Sequence, residues 1–313
     1  MPKITRDQVR VPADVMPESR DEYIENFMKA TRGTGRLMLF ACDQKIEHLN
    51  KDFYGEGIDI ADAEPQHLFE IGRQGVCGVL AGQRGLIAQY AADYPEINYL
   101  VKMNSKTNIV GGSQDDPYSP QLYDLDAVLA MREAGVNIVG IGYTIYLGSE
   151  YESTMMAEAG ELIAQAHANG LLVVLWIYPR GKAVKAEKDP ALIAGAAGVA
   201  LCLGADFVKV NPPKPEDGSS PAEALKVATM ASGRTGPRVR PAARRWTPRR
   251  SSRSCTTRYH TGGAVGNATG RNIQPATRLD EAVRLTKAIS AINAGRLLRG
   301  GRPRRLQTAT RTS

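Results

Sequence analysis

The sequence contains few cysteines and histidines. Its 313 residues include four cysteines, which lie far apart in the chain and form no C-x-x-C pair. The four histidines are equally scattered, so no H-x-H or H-x-x-x-H pair has the spacing of metal ligands. This pattern favours a reducing compartment, which we take to be the cytoplasm, and it predicts a protein without a metal site.

Long apolar segments are also missing. The longest continuous apolar run covers residues 171–178, well short of the roughly 20 residues that a membrane-spanning helix needs. The N-terminal region has no apolar stretch of the kind found in a signal peptide. We therefore expect no membrane association.

Acidic residues are nearly absent from the last quarter of the chain. Residues 233–313 contain 19 lysines and arginines but 2 acidic residues, which gives a formal charge of +17. Residues 1–232 contain 21 basic and 31 acidic residues, which gives −10. The overall charge of +7 therefore averages an acidic body and a basic tail.

The stretch 233–259 contains nine arginines and three prolines, but neither lysine nor an acidic residue. A buried strand does not form from such a composition, and residues 293–313 have a similar composition. One interpretation is a nucleic-acid-binding segment, and another is a disordered charged tail. We favour a third hypothesis, out-of-frame translation of a GC-rich gene, because such codons then encode Arg, Pro, Ala, Gly, Ser and Thr. Nucleic acid is therefore not an expected partner.

From residue 36 onward, the body alternates short apolar runs with helical segments. Such runs are typical of strands buried on both faces of a parallel sheet. They lie at 36–42, 75–82, 97–104, 136–144, 171–178 and 206–210. A further strand at 262–270 and a helix at 278–292 follow the arginine-rich stretch. Successive later strands begin about 35 residues apart, which is the size of one βα unit.

This count predicts the α/β class and a (β/α)8 TIM barrel over residues 36–292, with a corrupted seventh unit within 233–259. Residues 1–35 form an N-terminal extension with a helix at 19–33, and residues 293–313 form a basic tail. A doubly wound open sheet is the alternative, but the repeat count favours the barrel. Loss of one strand exposes two sheet edges, so we expect a destabilised chain with little activity.

Two lysines lie within predicted strands, Lys209 in the sixth and Lys102 in the third. Removal from water lowers the pKa of a lysine, and the neutral amine can form a Schiff base with a carbonyl compound. A strand lysine can equally extend its ammonium group past the strand end to water. The residues alone do not rank one lysine above the other.

Other candidate residues follow strand ends, where barrels of this kind have their active sites. Tyr178 and Asp43 could transfer protons, although they could also be a barrel-mouth aromatic and a helix N-cap. The glycine-rich turn GNATGRNI, at 266–273, could bind a phosphate through backbone N–H groups, or it could simply be a tight turn.

Four segments together resemble the archaeal-type class I fructose-bisphosphate aldolases, which are in the broad family of deoxyribose-phosphate aldolase. They are ACDQKIEH (41–48), LWIYPRG (175–181), GADFVKV (204–210) and GNATGRNI (266–273). The resemblance implies that Lys209 forms the Schiff base, that Tyr178 transfers protons and that Asp43 holds substrate hydroxyls. It also implies a substrate-binding set of Trp176, His48, Arg180, Gly266, Asn267, Gly270 and Arg271.

The implied reaction is the reversible cleavage of fructose 1,6-bisphosphate to dihydroxyacetone phosphate and glyceraldehyde 3-phosphate. It requires neither a cofactor nor a metal, and enzymes of this family are usually homo-oligomers. The run NPPKP after Lys209 departs from the polar continuation expected in the family, so the substrate remains open. The alternatives are a Schiff-base aldolase or transaldolase-like enzyme acting on another sugar phosphate or an aromatic-pathway precursor, a sugar-phosphate-binding barrel without activity, and nucleic-acid binding through the arginine-rich tail.

Overall fold

The structure, a computed structural model, describes residues 3–47, 60–108, 115–233, 261–270, 273 and 278–294. Within these residues, parallel strands form one sheet in the order β6-β5-β4-β3-β2-β1-β7. The strands are β1 (Leu37–Ala41), β2 (Val79–Gln83), β3 (Tyr99–Lys102), β4 (Ile138–Leu147), β5 (Leu172–Pro179), β6 (Phe207–Lys209) and β7 (Gly266–Thr269).

Helices separate the strands along the chain. They are α1 (Arg20–Thr31), α2 (Gln44–Glu47), α3 (Pro65–Gln74), α4 (Arg84–Tyr90), α5 (Leu125–Glu133), α6 (Glu152–Ala168), α7 (Pro190–Cys202), α8 (Pro221–Ala231) and α9 (Leu279–Asn293). This alternation confirms the predicted (β/α) barrel. The predicted seventh unit would lie between β6 and β7, in residues outside those described, as does the tail from residue 295.

Several helix boundaries follow from capping residues in the sequence. The Asp189 carboxylate accepts hydrogen bonds from the N–H groups of Ala191 and Leu192 at the start of α7. Ser220 and Glu223 form a capping box at the start of α8. Both helices carry proline at their first position, where the missing N–H has no intrahelical partner to lose.

The strands place alternate side chains in two apolar clusters. One cluster fills the barrel interior and includes Leu39, Leu100, Val174, Trp176 and Phe207. The other lies between the sheet and its surrounding helices. Because successive strand residues point to opposite faces, the interior positions at the C-terminal strand ends are fixed by this alternation.

The N-terminal helix α1 packs against the N-terminal ends of the strands. Phe27 of α1 stacks on Phe207 at the start of β6, with ring centroids 5.8 Å apart. Asn26 donates a hydrogen bond to the carbonyl of Gly170, just before β5. This end of the barrel is thus covered, and the opposite end carries the polar interior residues.

Candidate active site

Four interior side chains meet near the C-terminal ends of neighbouring strands. The strand register aligns Thr144 of β4, Trp176 of β5 and Lys209 of β6 side by side. Lys102 ends β3 and pairs with Gly142, two residues before Thr144. The two strand lysines and the predicted tryptophan therefore belong to one constellation.

The Lys102 ammonium group is fully buried and surrounded by oxygen atoms. Its Nζ lies 2.6 Å from Thr144 Oγ1, 3.3 Å from Glu47 Oε1 and 3.4 Å from Asp43 Oδ2. Burial lowers the pKa of Lys102, but the charges of Glu47 and Asp43 outweigh this effect and hold the pKa above its ordinary value. Lys102 is therefore a cation at neutral pH.

The carboxylate of Glu47 was not predicted as a site residue, although it lies within the segment 41–48. Its helix α2 directly follows Asp43, and its side chain is mostly buried, with 19% of its surface exposed. Burial raises the pKa of Glu47 and the charge of Asp43 adds to this, whereas Lys102 and Lys209 oppose it. The site thus contains two adjacent carboxyl groups and two nearby amines.

Asn104 fixes the position of Thr144. The Asn104 side chain accepts a hydrogen bond from the Thr144 N–H at 2.7 Å and donates one to the Thr144 carbonyl at 2.8 Å. It also donates to the Ser119 carbonyl. A fully buried amide with three satisfied hydrogen bonds holds this part of β4 rigidly, and through Thr144 it orients Lys102.

The Trp176 indole lies between the two lysines. Its ring centroid is 4.4 Å from Lys102 Nζ and 5.7 Å from Lys209 Nζ. Its buried Nε1 has no hydrogen-bond partner among the described residues. The absence of a side chain at Gly142 provides the space for the ring.

The predicted catalytic residues Lys209 and Tyr178 also lie close together. Lys209 Nζ is 5.9 Å from the Tyr178 ring centroid, and Lys209 is partly exposed. Burial raises the pKa of Tyr178, and the charge of Glu47 contributes in the same direction, while Lys102 opposes it. The Tyr178 phenol is therefore protonated at neutral pH.

Arg180 borders this group at the end of β5. Its guanidinium makes two hydrogen bonds to the Glu187 carboxylate, at 2.7 and 3.0 Å. It also lies 5.6 Å from the Tyr146 ring centroid and 5.9 Å from that of Tyr178. The predicted substrate-binding arginine is thus held in place beside the predicted proton-transfer tyrosine.

The remaining predicted residues lie in or near β7. Gly266 pairs with Leu37 of β1, and Asn267 with Met38. The Asn267 amide nitrogen lies 3.9 Å from the Met38 sulfur, in the layer between the sheet and the helices. Gly270 directly follows β7 and accepts a hydrogen bond from the Ile273 N–H. His48 and Arg271 lie outside the described residues.

Two further observations concern only the residues that the structure describes. They include no group of three histidine, cysteine or acidic side chains placed to hold a metal ion. None of the helices there is both long enough and apolar enough to cross a membrane.

The fold and this centre define a barrel whose interior lysines and carboxyl groups converge at the C-terminal strand ends. The chain belongs to the DeoC/LacD family of aldolases, because residues 37–274 match that family. The family predicted from the four sequence segments is therefore confirmed.

Relatives with assigned names agree with this membership. A protein of Methanocaldococcus jannaschii named fructose-bisphosphate aldolase/6-deoxy-5-ketofructose 1-phosphate synthase is 50% identical over 292 residues, covering 93% of this chain and 92% of that protein. The solved structure of a fructose-bisphosphate aldolase from Slackia heliotrinireducens is 68% identical, with a TM-score of 0.91, covering 94% of this chain and 92% of that one.

A second similar structure concerns the chemistry. It is an archaeal fructose-1,6-bisphosphate aldolase whose catalytic lysine is covalently bound to the carbinolamine intermediate of the substrate. It is 25% identical to this chain, with a TM-score of 0.71, and the match covers 85% of this chain and 98% of that one. Schiff-base aldolases therefore occur among the relatives of this chain.

Proposed function

We propose that this chain is a class I aldolase that cleaves fructose 1,6-bisphosphate to dihydroxyacetone phosphate and glyceraldehyde 3-phosphate, with Lys209 as the nucleophile. The observation that carries the proposal is the group formed by Lys209, Tyr178, Trp176 and Asp43 with its neighbours at one end of the barrel. It combines an amine for covalent catalysis with groups that can move protons.

The environment of Lys102 supports the choice of Lys209. Three oxygen atoms surround Lys102 Nζ, and two of them belong to carboxyl groups. A protonated amine in such a position has no lone pair with which to attack a ketone. Lys209, at the edge of the same group and partly exposed, is the amine that a substrate entering from the barrel mouth can reach.

The first chemical step is addition of neutral Lys209 to the ketone carbon, C2, of the open-chain sugar. The nitrogen–carbon bond forms, the carbonyl oxygen gains a proton, and the nitrogen loses one. Loss of this hydroxyl as water then gives an iminium ion, which withdraws electrons from the neighbouring carbon–carbon bond. Trp176 covers Lys209 and can donate its indole N–H to an oxygen of this intermediate.

Cleavage breaks the bond between C3 and C4. A base removes the proton of the C4 hydroxyl, the C4 aldehyde leaves, and the bonding electrons move into the iminium to give an enamine. We assign removal of the C4 hydroxyl proton to the Asp43 carboxylate, which also holds hydroxyl groups, and protonation of the enamine at C3 to the phenol of Tyr178. Protonation of the enamine at C3 and hydrolysis of the iminium release dihydroxyacetone phosphate and restore Lys209.

We assign binding of the substrate phosphates to the barrel mouth. Gly270, which directly follows β7, and Arg271 are the proposed site for the phosphate on C1, because glycine-rich backbone can approach an anion closely. Gly266 and Asn267 begin β7 and pair with the start of β1, so they lie toward the opposite end of the barrel. Arg180 and His48 complete the proposed substrate-binding set.

A second substrate is suggested by the name of the M. jannaschii relative, which includes 6-deoxy-5-ketofructose 1-phosphate synthase. Cleavage of that compound between C3 and C4 would give dihydroxyacetone phosphate and a three-carbon ketoaldehyde. Both substrates would share the same Lys209 enamine, so the alternative changes the aldehyde partner and leaves the covalent chemistry unchanged.

Borohydride trapping with dihydroxyacetone phosphate tests the proposal. We expect a reduced adduct on the peptide containing Lys209, identified by mass spectrometry, and none in Lys209→Met. Lys102→Met, a change at the other strand lysine, is the matched control and should still form the Lys209 adduct. An adduct on Lys102, or none in the unaltered protein, would contradict the proposal.

Assays of cleavage distinguish the substrates. The rates of release of dihydroxyacetone phosphate from fructose 1,6-bisphosphate and from 6-deoxy-5-ketofructose 1-phosphate should be compared at equal concentrations. Faster release from the bisphosphate is the expected result. Faster release from the deoxy compound would identify 6-deoxy-5-ketofructose 1-phosphate as the preferred substrate.

A further inference from the structure

Gln83 ends β2 and belongs to the layer of interior side chains at the C-terminal strand ends. Val79 and Ala81, four and two positions earlier on the same strand, both pack in the barrel interior. Side chains two positions apart on a strand share a face, so the Gln83 side chain faces the interior as well. In the strand register Gln83 pairs with Lys102. Its amide therefore lies in the candidate site, next to that lysine.

Asp43 lies on the other side of Gln83. The pairing of β1 with β2 sets Ala41 beside Ala81, and Asp43 and Gln83 each follow two residues later. The Asp43 carboxylate, which is the proposed base for the C4 hydroxyl, is 3.4 Å from Lys102 Nζ. Gln83 is thus flanked by two groups that contact each other.

The sheet order indicates which half of the sugar Gln83 faces. Lys209 is on β6, and β2 is four positions away along the sheet. We have assigned the C1 phosphate to Gly270, which follows β7, and C2 to the bond with Lys209. The C4–C6 half of the sugar then extends toward the ends of β1, β2 and β3, where Asp43 and Gln83 lie.

The Gln83 amide nitrogen is buried and has no hydrogen-bond partner among the described residues. Buried polar atoms without a partner are rare, because each one costs free energy. The nearby polar side chains are satisfied by contrast: Lys102 Nζ contacts three oxygen atoms, and the Asn104 amide makes three hydrogen bonds. An acceptor that arrives with the substrate would explain a donor at this position.

Tyr123 holds the ends of β2 and β3 together. Its hydroxyl accepts a hydrogen bond from the Arg84 N–H at 2.9 Å and donates one to the Lys102 carbonyl. Arg84 directly follows Gln83 and begins α4. The backbone from which the Gln83 side chain extends is therefore fixed relative to Lys102.

We propose that Gln83 is a substrate-binding residue whose amide donates a hydrogen bond to an oxygen atom on the C4–C6 half of the sugar. In fructose 1,6-bisphosphate this atom is a hydroxyl oxygen, and the same amide can donate to the C5 ketone of 6-deoxy-5-ketofructose 1-phosphate. Dihydroxyacetone phosphate consists of C1–C3 alone and lacks the group that Gln83 binds. The inference rests on the proposed function, because it takes Lys209 as the nucleophile.

The test compares two reactions of Gln83→Met, which keeps an unbranched side chain of similar length and removes the amide. Borohydride trapping of dihydroxyacetone phosphate on Lys209 should proceed at the rate of the unaltered protein. For cleavage of fructose 1,6-bisphosphate, kcat/KM should fall about ten-fold, as expected for loss of one hydrogen bond. In the synthesis direction, the KM for glyceraldehyde 3-phosphate should rise while the KM for dihydroxyacetone phosphate stays the same.

Urea unfolding separates this role from a structural one. Gln83→Met removes an amide nitrogen that has no partner within the described residues, so the free energy of unfolding should be equal or higher. Gln121→Met is the matched control, because the Gln121 amide donates to the Tyr123 carbonyl at 3.2 Å and to the Asp124 carboxylate at 3.4 Å. The control should lower the free energy of unfolding and leave kcat/KM for cleavage unchanged.

The outcomes separate this inference from the function on which it rests. No adduct on Lys209 in the unaltered protein contradicts the function itself. If Gln83→Met forms the adduct and cleaves the bisphosphate with normal kcat/KM, the amide bonds only water, and the inference alone is wrong. Equal slowing of trapping and cleavage together with a lower free energy of unfolding would show a structural role, and would also overturn it.

A second variant keeps the test open should Gln83→Met lack a cooperative thermal transition. Gln83→Asn keeps a polar amide but withdraws it by one methylene group. It should raise the KM for glyceraldehyde 3-phosphate and leave trapping of dihydroxyacetone phosphate unchanged. An unchanged KM for the aldehyde in this variant would count against the proposed contact.

Discussion

The indole of Trp176 occupies the space that a side chain at Gly142 would need. A Cβ atom built on Gly142 would lie 2.4 Å from Trp176 Cζ3 and 2.9 Å from Leu100 Cδ2. Such contacts are too short to be tolerated without movement of the ring. The lack of a side chain on β4 thus sets the orientation of an aromatic ring on β5, and that ring lies against both lysines.

Gly142→Ala should therefore displace Trp176 and impair the site. We expect a loss of stability of about 1–3 kcal/mol from overpacking, with slower trapping on Lys209. Urea unfolding and the borohydride assay measure the two effects. The matched control is Gly195→Ala in α7, where nothing lies within 4 Å of the added Cβ. Equal behaviour of the two variants would show that the Gly142–Trp176 contact is unimportant.

Tyr178→Phe should separate Schiff-base formation from proton transfer. Lys209 keeps its covering ring, so trapping with dihydroxyacetone phosphate should persist. Cleavage of fructose 1,6-bisphosphate should fall by about 10²–10⁴-fold, as expected for loss of a general acid–base group. Exchange of the hydroxymethyl hydrogen of dihydroxyacetone phosphate with deuterated water should fall in parallel.

Tyr146→Phe is the control for this change, because Tyr146 pairs with Tyr178 in the strand register and the two ring centroids lie 6.2 Å apart. It should retain most of the cleavage and exchange activity. If Tyr178→Phe retained exchange at the normal rate, another group would have to move the proton.

Much of this barrel is predictable from sequence, because its strands are uniformly apolar runs. The predicted runs at 136–144 and 171–178 correspond to β4 (Ile138–Leu147) and β5 (Leu172–Pro179), with ends that differ by at most three residues. Burial on both faces leaves a clear signal, whereas strand ends depend on hydrogen bonds that adjacent strands supply.

The sequence alone could not predict which groups surround each of the two lysines. Lys102 and Lys209 look alike within their strands, and what separates them is the set of oxygen atoms around Lys102. Those acceptors, on Thr144, Glu47 and Asp43, are 42 to 59 residues away in the chain. Only the tertiary fold brings them together, so no local pattern could rank the two amines.

The orientation of Asn267 illustrates a second limit. Its neighbours Gly266 and Ala268 are both small, so the sequence does not show which face of β7 is interior. The register with β1 resolves this, because Asn267 pairs with Met38 and shares its side of the sheet. Alternation of strand side chains is informative only where residue size or polarity differs between the faces.

Asn104→Ala should destabilise the site without removing any group proposed to touch substrate. The change deletes the two hydrogen bonds that Asn104 makes to the Thr144 backbone and leaves a buried N–H unsatisfied. We expect a loss of about 1–3 kcal/mol in urea unfolding, together with weaker trapping. Asn169→Ala, at an exposed amide that bonds only a helix carbonyl, is the control and should change little.

His167 should make the stability of the protein depend on pH at the opposite end of the barrel. It is fully buried on α6, with Nδ1 2.9 Å from Asp14 Oδ2 and Nε2 3.2 Å from Asp206 Oδ2. Burial lowers the pKa of His167, but the two carboxylates outweigh this effect and raise the pKa from 6.5 to about 9. Through these two contacts, His167 links Asp14 of the N-terminal extension to Asp206, which directly precedes β6.

The direction in which stability changes with pH follows from the difference between the folded and unfolded pKa values of His167. A folded-state pKa above the unfolded value means that protonation favours folding, so the contribution is fully present below about pH 6.5 and is lost as pH rises through about 9. Its size is on the order of 3 kcal/mol. Urea unfolding at pH 6, 8 and 10 should show a decline in the unaltered protein that is much smaller in His167→Gln.

Two controls assign this decline to the histidine. Asp14→Asn removes one of the two carboxylates that contact His167. It should reduce the decline in stability with pH without abolishing it, because Asp206 remains. Tyr23 also faces His167, but its pKa is raised far above the tested range by burial and by Asp206, so it stays protonated throughout. An equal decline in His167→Gln and the unaltered protein would place the group responsible for the pH dependence elsewhere.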